Sequence, residues 1–385
     1  VPKKKVLVLY EYFYPGFRAG GPVQSLVNMI VAMHHQYDFY VATTAYDLQA
    51  KQPYQNITLN QWVTTTLSNT NVTINIWYAN KPKPSFKELL HTIKSAGCNT
   101  IYINGFYTNH FLFPLLYIKL GLIKNIDCIV ATRGMLHKGA LQIKSFQKKI
   151  YFTVLKFSGL MKSIRFHATT LDEESEIKQM FGKNATVTIA ANIPKHPLSN
   201  AKQSLKQANQ IKLVFISRIL SIKNLLLVLQ YLQQIKKEIV FDIYGTIEDE
   251  NYWQQCLQAI QQLPANIQVK YKGEVLPHLV QETFMQYDAM ILLTKGENFG
   301  HAIYESLSVG TPVIISNFTP WKNLQQQNAG WNVAINDEDE INSLLNNLCN
   351  YTDKDFQQYC NGAWQLANNY YHQSDYISKY SHLFL

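Results

Sequence analysis

The amino-acid sequence predicts an α/β protein made of two doubly wound, mostly parallel sheets, each in its own domain. Three observations carry that expectation. Short continuous apolar runs alternate with stretches of helical period. The alternation lapses once, after Ile193, and then restarts. The chain has 385 residues, too many for one typical core and suited to two of about 190 residues each.

Val6–Tyr10 (VLVLY) is short and wholly apolar, as a buried parallel strand should be. A loop with Gly20-Gly21-Pro22 follows, and helical period runs from Val23 to His34. Tyr37–Thr43, Thr73–Trp77, Thr100–Asn104, Cys128–Thr132 and Arg165–Ala168 are further strands, with helical stretches between several of them. Residues 194–210 are polar, contain two prolines and read as a linker. The second series runs strand Lys212–Ser217, helix Asn224–Gln234, strand Ile239–Tyr244, helix Tyr252–Gln262 and strand Ile267–Tyr271. Helix Leu276–Met285, strand Ala289–Leu293, a helix through Glu305 and strand Pro312–Ser316 complete it. The coarse architecture is therefore two Rossmann-like halves, 1–195 and 211–364, and the aromatic-rich Phe356–Leu385 reads as helical.

Nearly half of the residues are apolar and 16% are charged, so both halves can bury a core and disorder is not expected. Residues 1–195 hold 22 basic against 9 acidic residues, a net of +13, whereas 196–385 hold 13 against 17, a net of −4. The first half is thus expected to meet something anionic. Nucleic acid is excluded as the expected partner, because no zinc-finger spacing, RNP-like aromatic motif or basic zipper is present. Anionic lipid or a lipid-linked pyrophosphate fits better. Gln142–Arg165 mixes six basic residues with Phe, Tyr, Leu and Ile, so it reads as an amphipathic basic helix. Such a helix can lie on an anionic inner-membrane surface or pack with a solvated basic side.

The five cysteines are odd in number and form no CxxC pair, which suits buried free thiols in a reducing compartment. Val6–Tyr10 is too short for a signal-peptide core, and the most apolar run, Phe111–Ile123, is interrupted by Lys119. A cytoplasmic protein, peripheral on a membrane at most, is the expectation.

The segment Thr294–Glu305 (TKGENFGHAIYE) follows a strand and opens a helix, which puts it at the carboxyl edge of a parallel sheet where ligands bind. Glu297 and Glu305 are eight residues apart, about 12 Å along a helix and roughly 80° apart around it. Both can then address one elongated ligand, with N–H groups around Phe299, Gly300 and His301 facing an anionic group between them. Alone, this spacing also suits two solvated glutamates. Arg218 and Lys223 follow the first strand of the second half and would lie on the same edge. A planar guanidinium and a point-charge ammonium together can stabilise a departing diphosphate without a metal. Gly20-Gly21 lets backbone N–H groups approach a phosphate or sugar closely, although a lone pair of glycines is often only a turn.

These residues resemble glycosyltransferase family 4, whose hallmark is an E-x7-E motif with an upstream Arg and Lys. FRAGGPVQS (17–25), ATRGMLHKGAL (131–141), FHAT (166–169), ISRILSIKN (216–224), YKGEV (271–275), GENFGHAIYESLSVGTPVIIS (296–316) and TPW (319–321) carry the resemblance over nearly the whole chain. It implies a GT-B fold, with two domains facing across a cleft, a hinge at 194–210 and a tail, about 365–385, that crosses back to the N-terminal domain. It also implies a retaining, metal-independent transfer from a nucleotide sugar, the co-substrate, to a hydroxyl of a glycan or lipid-linked acceptor in surface-polysaccharide or lipopolysaccharide assembly. By the resemblance Arg218 and Lys223 hold the diphosphate, Glu305 the ribose, and Glu297 with Asn298, Phe299, Gly300 and His301 the donor sugar. Lys272 to Val275 would border the base, and Gly20 and Gly21 would line the donor site opposite Arg218. Many members carry a His after the strand corresponding to Cys128–Thr132; here Arg133-Gly134 stands there, with His137 four residues on. Arg133 is therefore assigned to the phosphate region, and Arg18 and His137 to the acceptor region. Glu11, Asn104 and His110 also follow or end strands and fit structural roles equally well. No metal site is expected.

Rival readings share the fold: a nucleotide-sugar epimerase, which needs acid and base groups near C2, and a sugar phosphorylase, for which no pyridoxal-phosphate lysine motif is present. A catalytically silent sugar-nucleotide-binding scaffold is the rival of another class. Donor base, sugar, acceptor and linkage are recognised through backbone and pocket shape, which a single sequence hides.

Overall fold

Val6, Leu7, Val8 and Leu9 are fully buried at the centre of an eight-stranded sheet, where a continuous apolar run can face helices on both sides. A computed structural model describes residues 3–68, 70–137, 141, 145–204 and 206–385. It divides into two units, Val1–Ile193 with Asp375–Leu385, and Pro194–Ser374.

The first unit runs β1 (Lys4–Leu9), α1 (Gly21–Met33), β2 (Tyr37–Thr44), β3 (Trp62–Thr66), β4 (Thr73–Ala79), α2 (Phe86–Ala96), β5 (Thr100–Asn104) and α3 (Asn109–Lys119). It continues with β6 (Asp127–Ala131), α4 (Ser145–Phe157), β7 (Ile164–Ala168), α5 (Leu171–Phe181) and β8 (Val187–Ile189). Its sheet order is β3-β4-β2-β1-β5-β6-β7-β8, parallel except where β3 meets β4. The second unit holds β9 (Gln210–Ile216), α6 (Leu225–Leu232), β10 (Glu238–Tyr244), α7 (Glu250–Gln261), β11 (Ile267–Tyr271), α8 (Val280–Phe284) and β12 (Ala289–Leu292). Then come α9 (His301–Ser308), β13 (Val313–Ser316), β14 (Gly330–Val333), α10 (Glu338–Asn350) and α11 (Asp353–Gln373). Its six strands are all parallel, in the order β11-β10-β9-β12-β13-β14. The strand order of this unit reverses between β9 and β12. At such a switch point the loops leave in opposite directions and open a crevice at the carboxyl edge.

The last helix, α12 (Tyr376–Phe384), belongs to the first unit. Phe384 packs edge-on to Tyr37 and Tyr102, Tyr380 meets His167, and Lys4 Nζ donates to the Phe384 carbonyl at 2.5 Å. The returning segment is shorter than expected, because residues 365–373 stay in α11 and, with Ser374, belong to the second unit.

The expectation of a linker at 194–210 needs correction. Leu198 and Lys202 donate their backbone N–H groups to Ser308 and Val309, and Lys202 and Lys206 are buried. Lys206 Nζ donates to the carbonyls of Gln207, Gln210 and Cys349, satisfying the end of α10, while Lys202 Nζ donates to the Tyr287 carbonyl. A polar stretch thus serves as a strap on its own unit, because lysine ammoniums can satisfy otherwise orphaned carbonyls.

The basic stretch is also not one helix. Residues 142–144 and 138–140 lie outside the described residues. From Ser145 the helix ends at Phe157; Gly159, at φ 71°, turns the chain into a short 3-10 segment, and Arg165 is already in β7, where its guanidinium is ion-paired with Asp127. The strands β3, β8 and β14 carry no expectation from pattern, and the helix expected at Leu276–Met285 is confined to α8, Val280–Phe284.

Candidate active site

Two loops meet at the switch point of the second unit. After β9, Ser217 and Arg218 lead into a 3-10 turn, Ser221–Lys223, closed by Asn224 in the left-handed conformation at φ 61°. Asparagine tolerates that region and can bond locally. Here its Nδ2 donates to the Leu293 carbonyl at the end of β12, 2.9 Å away. From the other side, Lys295 donates its N–H to Ile222 at 2.8 Å, and Thr294 Oγ1 donates to the same carbonyl. The two loops are therefore stitched together by backbone acceptors, which fixes what their side chains can reach.

Lys223 Nζ donates to Glu297 Oε2 at 2.5 Å, with both side chains largely shielded from water. Glu297 is held in turn by its N–H, which donates to Phe318 after β13. Arg218 donates through Nη1 to Glu248 at 2.6 Å. Glu248 follows β10 on the far side of β9, and sequence reasoning did not single it out. Its loop is drawn in by Gly245, at φ 148°, where a Cβ would stand 1.8 Å from the Ser217 carbonyl oxygen. A glycine directly after a strand, followed by an acid, was the available signal. The cations thus each face a carboxylate, and the paired groups converge on one sheet edge.

The expected helix spacing of the two glutamates is corrected by the structure. Glu297 precedes α9 by four residues in a loop, and the helix starts only after Gly300, at φ 78°. A Cβ at Gly300 would meet Ile303 at 2.9 Å and Glu297 Cγ at 3.1 Å. The N-cap of α9 is Gly300, which has no side chain to cap the helix, and a helix start with its first N–H groups and positive dipole end suits an anionic ligand. The Phe299 side chain is buried against Trp321, Tyr304 and Tyr370, and its carbonyl accepts from Trp321 Nε1 at 2.7 Å. The aromatic cluster backs the loop that carries Asn298 and His301.

Glu305 lies inside α9 and is buried. Burial pushes its carboxyl up to about 7, partly opposed by the positive charge of Lys195. Lys195, from the strap, was absent from the expected set. Lys272 faces Asp242 at 3.6 Å and donates its N–H to Ile243, while Val275 packs at the edge of the core.

The remaining expected residues belong to the first unit. Gly20, at φ 72°, precedes α1, and Gly21 is that helix's first residue. Asp47 Oδ2 accepts from the N–H groups of Phe17 and Arg18, shaping this loop. Arg133, at φ 51°, spends its guanidinium on neutral partners: Nε on Asn104 Oδ1, Nη1 on Asn192 Oδ1 and Nη2 on the Tyr102 hydroxyl. Tyr102 also bonds His167 Nδ1 at 2.6 Å, and burial pushes that imidazole down to about 4. Asn104 therefore orients Arg133. His110 is buried and pushed down to about 4 by desolvation, and Glu11 is pushed up by burial. His137 is exposed beyond a turn closed by its N–H on Gly134.

Residues 199–361 match the family model of the glycosyl transferases group 1. That span holds Arg218, Lys223, Glu248, Glu297 and Glu305. Solved structures resemble the chain over nearly its full length. Sucrose-phosphate synthase from Thermosynechococcus elongatus superposes with a TM-score of 0.71 at 13% identity, covering 99% of this chain and 98% of that one. Anabaena HepE, in complex with UDP and glucose, gives 0.68 at 14% over 99% and 98%. WaaG, a glycosyltransferase involved in lipopolysaccharide biosynthesis, gives 0.62 at 11% over 98% of each chain. The fold is GT-B. A comparison with curated proteins found no match. Within the GT-B fold, the edge built by β9, β12 and α9 lies wholly inside the span that matches the group 1 glycosyltransferases.

Proposed function

We propose that the chain is a retaining glycosyltransferase that moves a sugar from a nucleoside-diphosphate donor to a hydroxyl of a glycan or lipid-linked acceptor. The observation that carries this reading is the Lys223–Glu297 pair at the β9–β12 switch point, directly ahead of the uncapped start of α9. The matched family span and the UDP and glucose held by a structural relative support it.

In this reading the donor diphosphate takes the place of the carboxylates on the two cations. Arg218 turns from Glu248, and Lys223 from Glu297, to the phosphates. Release from Lys223 leaves one Glu297 oxygen to accept from hydroxyls of the transferred sugar. Glu305 accepts from the ribose hydroxyls, its charge favoured by Lys195. Lys272 and Val275 border the base, and Asn298, Gly300 and His301 line the sugar and phosphate. As the bond from the anomeric carbon to the diphosphate oxygen breaks, charge builds on that oxygen, and Arg218, Lys223 and the N–H groups of α9 stabilise it. The acceptor oxygen bonds the anomeric carbon from the face the diphosphate leaves, and its proton passes to a phosphate oxygen. The two cations supply the positive charge for this step. Arg133 is assigned to the phosphate region and Gly20, Gly21, Arg18 and His137 to the first unit's share of the substrates.

A donor screen tests the reading. Thermal stabilisation by UDP-, GDP- and other sugar nucleotides, with EDTA present, should single out one base. Slow hydrolysis of that donor separates an enzyme from a binding scaffold: a chain that binds but never releases sugar would refute transfer.

A further inference from the structure

We propose that a cavity at the carboxyl edge of the first unit's sheet, lined by Thr43 and His110, is a subsite for one hydroxyl of a neutral saccharide acceptor. The inference rests on the proposed transfer and names part of what receives the sugar. Thr43 lies near the end of β2 and His110 at the start of α3. Asn60, ahead of β3, and Glu88 and Thr92, from α2, line the same cavity. Thr43 and His110 are only 1% and 2% exposed. Among the described residues the Thr43 hydroxyl has no hydrogen-bond partner, and no hydrogen bond holds the His110 imidazole. The next residue of β2 differs: Thr44 Oγ1 donates to the Glu11 carbonyl at 2.8 Å. Buried polar groups are normally paired, and leaving one unpaired is costly. Two such groups lining one cavity mark a place for a partner from outside.

The lining selects that partner. The space amounts to about 10 Å³, room for a single water-sized group. Asn60 and Glu88, the exposed members of the lining, mark its mouth. An anion is disfavoured, because Glu88 is the one charged residue there and burial pushes the His110 imidazole down to about 4, leaving it neutral. A metal ion is disfavoured too, since among the described residues no three His, Cys, Asp or Glu side chains are grouped to hold one. A neutral hydroxyl fits: it can accept from one of these two groups and donate to the other. Trp77, also in the lining, offers an apolar wall to the carbon that bears this hydroxyl. Asn60 Oδ1 accepts from the Asn80 N–H at 3.1 Å, which leaves the Asn60 NH2 group to donate to a second hydroxyl of the sugar. One hydroxyl or hydroxymethyl group enters, and the sugar ring stays at the mouth.

Saturation-transfer NMR of the full chain with the methyl α-glycosides of glucose, galactose and mannose, at millimolar concentrations, tests it. At least one of the three should bind the wild type and bind Thr43→Val at least about tenfold more weakly. Valine keeps the shape of threonine and removes a hydroxyl that no protein group uses, so this variant should melt no lower than the wild type. His110→Phe should lose the same glycoside by the same factor. Equal glycoside binding by the wild type and Thr43→Val, as for a cavity that holds only water, overturns the proposal. Calorimetry with sugar nucleotides, run in parallel, separates this inference from the reading it rests on. A wild type that binds a sugar nucleotide but none of the glycosides overturns the subsite alone, and one that binds neither removes both.

Discussion

Arg218 and Glu248 are joined at 2.6 Å across the loops that follow β9 and β10, although they are thirty residues apart in the chain. The pair is about one-third exposed, so its contribution to stability is small, about 0–1 kcal/mol. Arg218→Ala should therefore leave the melting temperature within about 2 °C of wild type. Donor turnover, as kcat/KM, should nevertheless fall about 100-fold, since the guanidinium is assigned to the leaving diphosphate. Thermal melts alongside donor kinetics check both halves of this expectation.

The close approach at Gly245 makes a sharp contrast with Gly296. A Cβ at 245 would sit 1.8 Å from a backbone oxygen at φ 148°, whereas nothing lies within 4 Å of one at 296. Gly245→Ala should cost about 3 kcal/mol or more, because the obstacle is main chain and cannot swing aside. Gly296→Ala should stay within about 0.5 kcal/mol. Urea titrations of the two variants are the measurement.

Glu305 gives the protein a pH signature. Its folded carboxyl lies near 7, above the value of 4.5 expected in the unfolded chain, with burial as the cause. Between those values the folded state holds a proton that the unfolded state has lost, so stability falls as pH rises through this window and levels off above it. The full effect is at most about 3 kcal/mol. Glu305→Gln should remove this decline, so that its stability curve is flatter from acid to neutral pH than that of the wild type. A series of denaturant midpoints over that range reads it directly.

Arg133 is held by Asn104, Asn192 and Tyr102, and removing it strands three acceptors. Arg133→Ala should destabilise by about 2–4 kcal/mol. Lysine should not rescue it, since one ammonium cannot reach three divergent acceptors. Chemical denaturation of both variants decides the matter.

Much of this architecture could be read from apolar runs and their punctuation. The runs at Val6–Leu9 and Leu213–Phe215 are fully buried on both faces, so their composition alone identifies them. Trp62–Thr66 is a Thr-rich antiparallel edge strand with little buried surface, and it carries no such signal. The strap was misread for a different reason: Lys202 and Lys206 are buried because carbonyls at Tyr287 and Cys349 accept from them, and those partners are far away in sequence. Lys223 and Glu297 were legible as types that suit a diphosphate and a sugar. That they bond each other, and that Arg218 faces Glu248, depends on where β9, β10 and β12 lie in the sheet.

Donor binding by calorimetry, with EDTA present, tests the central claim most directly. Wild-type protein should bind one nucleoside diphosphate sugar, and the double variant Arg218→Ala with Lys223→Ala should lose that binding at least about 100-fold while remaining folded. Equal affinity in the two proteins, or no affinity of the wild type for any sugar nucleotide, would contradict it.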